Sequence, residues 1–210
     1  MAAAGIAECC GCTAVTAHVA RGAAGVRVCV ANAGDARCLL VRLPLAPGAP
    51  AVAEALSVDH VPSLPAEAAR IAAVGGVVAR GRVLGVLAVS RALGDVCLKP
   101  SVTPQPHVAQ AALPVGQRAC LLLFCDGVSG VCSDTEAAQC VADALAARAT
   151  QRAEAAAAAA EGGPAAGGPA WDGTRAGGGD DDAAAAAEAL VAEAMRRGTR
   201  DNVTVLAVLL

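Results

Sequence analysis

The run Ala119–Cys125, ACLLLFC, is the most apolar stretch of the chain, and it stops at Asp126-Gly127. A run this short and this apolar, closed by a turn signal, has the character of a buried β-strand. An acidic residue at the mouth of such a strand has a plain reading, because Asp-Gly is a common turn pair. The same residue could instead be aimed at a ligand. The rest of the chain has to decide.

Aromatic residues make up 1% of the 210-residue chain, Phe124 and Trp171, with no Tyr, so the core must come from Val, Leu, Ile, Ala and Cys. The length allows one sizeable domain or two small ones. Net charge is −3, Lys99 is the only lysine, and no basic cluster exceeds Arg196-Arg197, which excludes a nucleic-acid footprint. No apolar run approaches the roughly 20 residues that span a bilayer. The start, MAAAGIAECCGC, lacks the basic and apolar regions of a secretory signal. Cys9 and Cys12 form a CxxC without a second pair at zinc spacing, and the other cysteines lie mostly in apolar segments. The expectation is reduced thiols in a cytoplasmic or nuclear protein.

Three β-like runs open the chain: Ala14–Ala20, Val26–Ala31 and Ala36–Leu43. The short turns between them, RGAAG and NAGD, predict an antiparallel meander. Pro44–Pro50 reads as a loop. Ser57–Pro65 leads into a short helix with Pro65 and Glu67 in its first turn, Arg70 near its end and Gly75-Gly76 as its stop. Val83–Ser90 reads as another strand. Ser133-Asp134-Thr135-Glu136 has the S-x-x-E pattern of a capping box, and Ala138, Val141, Ala142 and Leu145 follow at helical spacing. Residues 161–182, rich in Gly, Ala and Pro and closed by Asp180-Asp181-Asp182, read as a flexible insertion carrying Trp171. A second helix is expected from about Ala183 to Arg197, with Leu190, Val191, Ala194 and Met195 on one face. NVTVLAVLL closes the chain as a strand. The class is α+β.

Three aspartates share one setting: Asp35 between two strands, Asp126 after a strand, and Asp201 before one. If those strand ends come together, three carboxylates converge. Such a cluster repels itself unless protonated or neutralised by a cation. Oxygen-only donors suit Mg²⁺ or Mn²⁺. Three independent turns remain the alternative.

The ordered motifs resemble the metal-dependent PP2C (PPM-type) family of protein serine/threonine phosphatases. GCTAVTAHV is similar to its G-x-T-A strand, and VANAGDARCLLVR to its N-x-GD-S-R segment. LSVDHVPSLPAEAARIAAVGGVV resembles the DH-x-P…E-x-x-R-I…GG block. RVLGVLAVSRALGD, LLLFCDGVSGVCSDTEA and GTRDNVTVLAVLL resemble the blocks that follow. The resemblance implies two packed antiparallel β-sheets flanked by α-helices. It also implies hydrolysis of phosphoserine or phosphothreonine in proteins by a water that Mg²⁺ or Mn²⁺ makes acidic. Asp126 and Asp201 match carboxylate ligands of the core metals, and Asp35 matches the position that helps hold a third, weaker one. Phosphorylated proteins are the implied partners of a monomeric enzyme, with no nucleic acid or membrane involved.

The match departs from the family in two places. Nothing before Cys9 resembles the N-terminal block, with its phosphate-binding Arg and its DGH motif whose Asp bridges the metals. The sequence therefore reads as N-terminally incomplete, and residues 1–210 alone are expected to show background activity. The family's W-D after its SDG is Ser129-Gly130 here. A catalytically inactive scaffold that binds phosphoproteins stays open as the alternative. His60, Asp59, Glu67 and Arg70 are expected to order a turn and tie the first helix to the sheet. Arg91 and Asp95 should brace the segment beyond it, while His18 and His107 have no assigned partner.

Overall fold

A computed structural model of the protein describes residues 10–44, 49–161 and 178–210. The elements are β1 (Gly11–Cys12), β2 (Ala14–Gly22), β3 (Gly25–Ala33), β4 (Arg37–Arg42), β5 (Val52–Ala55), α1 (Pro65–Ala73), β6 (Val78–Ala79), β7 (Arg82–Val83), β8 (Leu93–Gly94), β9 (His107–Leu113), β10 (Ala119–Phe124), α2 (Asp126–Ser129), α3 (Asp134–Glu161), α4 (Gly178–Arg196) and β11 (Val205–Leu209). Strands β2-β3-β9 form one antiparallel sheet and β11-β10-β4-β5 a second. We call them sheet I and sheet II.

Alternation along the strands of sheet II explains the layering. Cys38 and Leu40 of β4, with Leu121 and Leu123 of β10, pack against Val28 and Val30 of sheet I. Their neighbours Leu39, Val41, Cys120, Leu122 and Phe124 point the other way, onto Val141 and Leu145 of α3 and Leu190 of α4. Sheet II is thus covered on both faces, and β10 is apolar throughout because neither of its faces meets water. Small Ala137, Ala138, Ala186 and Ala194 let the helices approach closely, which is how a chain with a single Phe and no Tyr fills its core.

Several expectations hold. Pro65 opens α1, and Gly75 follows it at φ +80. The capping box forms reciprocally: Ser133 N–H donates to Glu136 Oε2 at 2.8 Å, and Glu136 N–H donates to Ser133 Oγ at 3.3 Å.

Others need correction. The opening strands are not one meander. β2 and β3 form a hairpin, but β3 goes on to pair with β9, while β4 pairs with β10 and β5 in the other sheet. The NAGD turn carries the chain between sheets, because the apolar faces of β3 and β4 bury against each other rather than pairing edge to edge. Val83–Ser90 is not a strand either. Only its first residue belongs to β7, and Leu84 and Gly85 both take positive φ, so the run folds back on itself. Val83 and Val89 are then buried with Ile71, Ala92 and Val102 in a small core of their own. We call residues 74–104 the flap.

Helix α4 begins at Gly178, not Ala183, so Asp180 and Asp181 lie in its first turn and Asp182 just beyond it, instead of ending an insertion. Asp182 is buried and paired with Arg152 of α3 at 2.6 Å. Carboxylates in a first turn also suit the positive end of the helix dipole. The buried stripe of α4 is Ala186, Leu190 and Ala194, whereas Met195 is 61% exposed. Trp171 and residues 162–177 lie outside the described residues.

The flap is fastened to α1 by Glu67, which is 2% exposed. Arg91 donates from Nε (3.1 Å) and Nη2 (2.6 Å) to Oε1, and Arg70 donates from Nε (3.2 Å) and Nη2 (3.1 Å) to Oε2. Arg70 Nη2 also donates to the carbonyls of Ser90 (2.8 Å) and Ser101 (3.0 Å). Glu67 and Arg70 therefore tie α1 to the flap rather than to the sheet. Arg91 braces the flap as expected, and Asp95 joins it to the start of the chain by donating its N–H to Cys10 O at 2.9 Å.

Burial pushes the Glu67 carboxyl up, but hydrogen bonds from the two arginines outweigh it and hold the group at about 2. A folded-state value below the unfolded 4.5 gives stability that is present above pH 4.5 and lost as pH falls towards 2. Glu67→Gln should lower stability in urea by about 3 kcal/mol near neutral pH and flatten the acid limb between pH 4.5 and 2. An unchanged acid limb in the variant would contradict this account of the clamp.

Candidate functional site

β10 is hydrogen-bonded on both sides, to β4 and to β11, and the registers end together. Phe124 lies opposite Arg37 on one side and Val205 on the other. Both pairings are antiparallel, so the start of β4, the end of β10 and the start of β11 share one edge of sheet II. Asp35 precedes Arg37 by two residues, Asp126 follows Phe124 by two, and Asp201 precedes Val205 by four. The strand order alone brings the three predicted acids to one end of the sheet.

Electrostatics shows that they interact. Burial pushes the Asp35 carboxyl above its ordinary value, and the negative charge of Asp126 pushes the same way, with further contributions from Asp59 and Asp201. Asp35 is half-buried, whereas Asp126 and Asp201 are exposed. Among the described residues, no group of three or more His, Cys, Asp or Glu side chains stands close enough together to hold a metal ion. The three acids at this end of the sheet offer only oxygen donors, and the half-buried one is pushed towards protonation. That chemistry fits a hard dication, which would relieve the repulsion and draw on further oxygen donors.

Two of the acids are set by a tight junction between α2 and the segment before β11. Cys125 N–H donates to Thr204 O (3.3 Å), the Cys125 thiol donates to Asn202 O (3.1 Å), and Thr204 N–H donates to the same sulfur (3.3 Å). Gly127 is buried between them, and a Cβ there would stand 2.2 Å from Asn202 O. The Asp-Gly pair is thus more than a turn: glycine lets the chain pass close enough to set Asp126 beside the Asp201 segment. Asp201 Oδ1 accepts the Asn202 N–H at 2.7 Å, which orients its carboxylate.

Asp35 is set by its own turn. Gly34 has φ +107 and packs where a Cβ would meet Thr13 at 2.3 Å. Asn32 Nδ2 donates to Gly34 O (3.2 Å) and Val58 O (2.7 Å), and Asn32 Oδ1 accepts from Val58 N–H (3.2 Å). Arg37 makes a two-pronged ion pair with Asp59 and donates from Nη1 to Asp134 Oδ1 at the start of α3. Asp59 therefore does tie the α1 approach to the sheet. Sequence reasoning passed over Arg37, Asn32 and Cys125. Arg37 and Asn32 both stand inside the N-x-GD-x-R segment, and an arginine two residues from an acid was the available signal.

The remaining sites sort simply. His18 lies on the open face of sheet I opposite Cys29, and His107 stands opposite Asn32 at the start of β9. Ser129 and Gly130 close the short α2 with no acid between them. Because the α2 junction depends on Gly127, Gly127→Ala should destabilise the protein by about 1–3 kcal/mol in urea. Unchanged stability would show that the Asn202 backbone can move aside freely.

Comparison with known proteins identifies the family and the fold. Residues 3–203 match the family described as Protein phosphatase 2C. Protein phosphatase 2C 56 of Arabidopsis thaliana is 39% identical over 182 residues, which make up 85% of this chain and 38% of that protein. Probable protein phosphatase 2C 68 of Oryza sativa subsp. japonica is 46% identical over 151 residues, or 70% of this chain and 38% of that protein. A serine-threonine phosphatase 2C from Toxoplasma gondii shares the fold, with a TM-score of 0.66 and 24% identity over 100% of this chain and 61% of its own. A phosphatase from a pathogenic strain of Toxoplasma gondii gives a TM-score of 0.56 at 30% identity, covering 87% of this chain and 47% of its own. The chain spans less than two-fifths of the length of the two plant proteins. On the extent of the family match and the ordered strands that carry it, the chain belongs to the protein phosphatase 2C family.

Proposed function

We propose that this chain contributes the Asp35, Asp126 and Asp201 end of a protein serine/threonine phosphatase that uses Mg²⁺ or Mn²⁺ to hydrolyse phosphoserine and phosphothreonine. The observation that carries the reading is the common end of β4, β10 and β11, where Asp35 is pushed towards protonation by burial and by Asp126 and Asp201. Asp126 and Asp201 would hold the cation from the exposed rim, with Asp35 behind them. When bound, the cation supplies Lewis acidity towards water and phosphoryl oxygens. The chain's own residues supply placement: Gly127 and Cys125 fix the Asp126–Asp201 spacing, and Arg37 ties β4 to Asp59 and Asp134 beside the site. This reading takes phosphorylated proteins as substrates of a monomeric enzyme in the cytoplasm or nucleus.

A second reading, a phosphoprotein-binding scaffold without turnover, is favoured by the lack, among the described residues, of any group of three His, Cys, Asp or Glu side chains that could hold a metal ion. Calorimetric titration of Mn²⁺ into the chain tests the first reading. Asp126→Asn should weaken binding by about 10–100-fold, and equal binding by both proteins would contradict the assignment. With the N-terminal block of a family relative joined ahead of Cys9, the chain should release phosphate from a phosphothreonine peptide in Mn²⁺ and lose that activity with Asp126→Asn. A fusion that binds the peptide without hydrolysing it favours the scaffold.

A further inference from the structure

His60 sits between β5 and α1, 2% exposed, and it faces the residue before Asp35 with both its main chain and its ring. His60 N–H donates to Gly34 O at 3.0 Å. The ring nitrogen Nδ1 stands 3.3 Å from Gly34 N and 3.1 Å from Gly34 O. Gly34 O already accepts from His60 N–H and from Asn32 Nδ2, which accounts for both its lone pairs. The buried Gly34 N–H needs an acceptor, and Nδ1 is placed to be one. This arrangement assigns the neutral ring with its proton on Nε2.

His60 also has a second attachment. Its carbonyl accepts the Ser90 N–H at 2.8 Å, and Ser90 O in turn accepts from Arg70 Nη2 (2.8 Å) and Thr103 N–H (3.3 Å). One residue therefore touches the flap on one side and the Asp35 turn on the other. The turn needs such a hold. Gly34 lies in a region of φ with no side-chain constraint of its own, and the next residue carries a half-buried carboxylate near the like charges of Asp126, Asp59 and Asp201.

We propose that His60 is a positioning residue: through Nδ1 and its own main chain it grips Gly34, holds the Asp35 carboxylate at the shared strand end facing Asp126 and Asp201, and links that carboxylate to the flap. Its functional weight rests on the reading of Asp35 as a cation ligand; its geometry does not.

Two variants separate the grip from simple filling of space. His60→Asn puts an amide oxygen near the place of Nδ1, whereas His60→Gln puts it near the place of Nε2. NMR amide exchange at Gly34 is measured against Leu122 in β10, which reports global opening. His60→Gln should speed Gly34 exchange at least about ten-fold relative to Leu122, while His60→Asn stays within about three-fold of the unaltered chain. Mn²⁺ added alone should broaden the Asp35 amide signal in the unaltered chain and in His60→Asn, and less in His60→Gln. Equal Gly34 exchange in the unaltered chain and His60→Gln overturns the proposal, as does identical behaviour of the two variants. If Mn²⁺ leaves Asp35 untouched in the unaltered chain, the cation reading fails, and the Gly34 exchange ratio still decides the grip. A measurement needing no variant stands beside these: the ring ¹⁵N shifts of the unaltered chain should report Nδ1 without a proton and Nε2 with one. A proton on Nδ1 overturns the proposal.

Discussion

Everything at the candidate site depends on the two-sided pairing of β10. Its hydrogen bonds to β4 and β11 fix which strand ends lie together, and its fully buried residues fix it in depth between sheet I and the helices. A one-residue slip in either register would turn Leu121 and Leu123 away from sheet I and carry the acids out of line. The apolar core and the acidic end are thus one construction: alternation that buries both faces of β10 also sets where Asp126 emerges.

Gathering like charges at one edge works against the fold, and the surroundings show how the cost is met. Arg37 spans Asp59 and Asp134, placing a cation next to the acidic end. Gly127 and Cys125 hold the Asp201 segment by backbone contact, and Asn32 and His60 hold the Gly34 turn. Burial first, and then the negative charge of Asp126, push the Asp35 carboxyl up. A dication at this edge would favour the ionised form of Asp35.

Much of this was legible in the chain. The capping box at Ser133, Pro65 at the start of α1 and the apolar run of β10 are local signals, and each appears where the residues place it. So are the three acids at strand ends. What was not legible depends on distant partners. NAGD looks like a hairpin turn because hairpins are common between close strands. Yet β3 finds β9 and β4 finds β10 across the intervening flap, and neither partner is encoded near the turn. Val83–Ser90 has strand-like composition, but its apolar residues are claimed by Ile71 and Val102. Asp182 looks like part of a solvated acidic run until Arg152 comes to it from another helix. Gly127 reads as a turn residue, and only the Asn202 carbonyl shows why the position excludes a side chain.

The central proposal is that the shared end of β4, β10 and β11 makes a cation site of Asp35, Asp126 and Asp201. Crystals of the chain soaked in Mn²⁺, with anomalous differences measured at the manganese edge, test it most directly. The account predicts a peak at the shared end of β4, β10 and β11, within bonding distance of the Asp126 carboxylate and flanked by Asp35 and Asp201. Well-occupied peaks elsewhere on the molecule, with nothing at that edge, would contradict it.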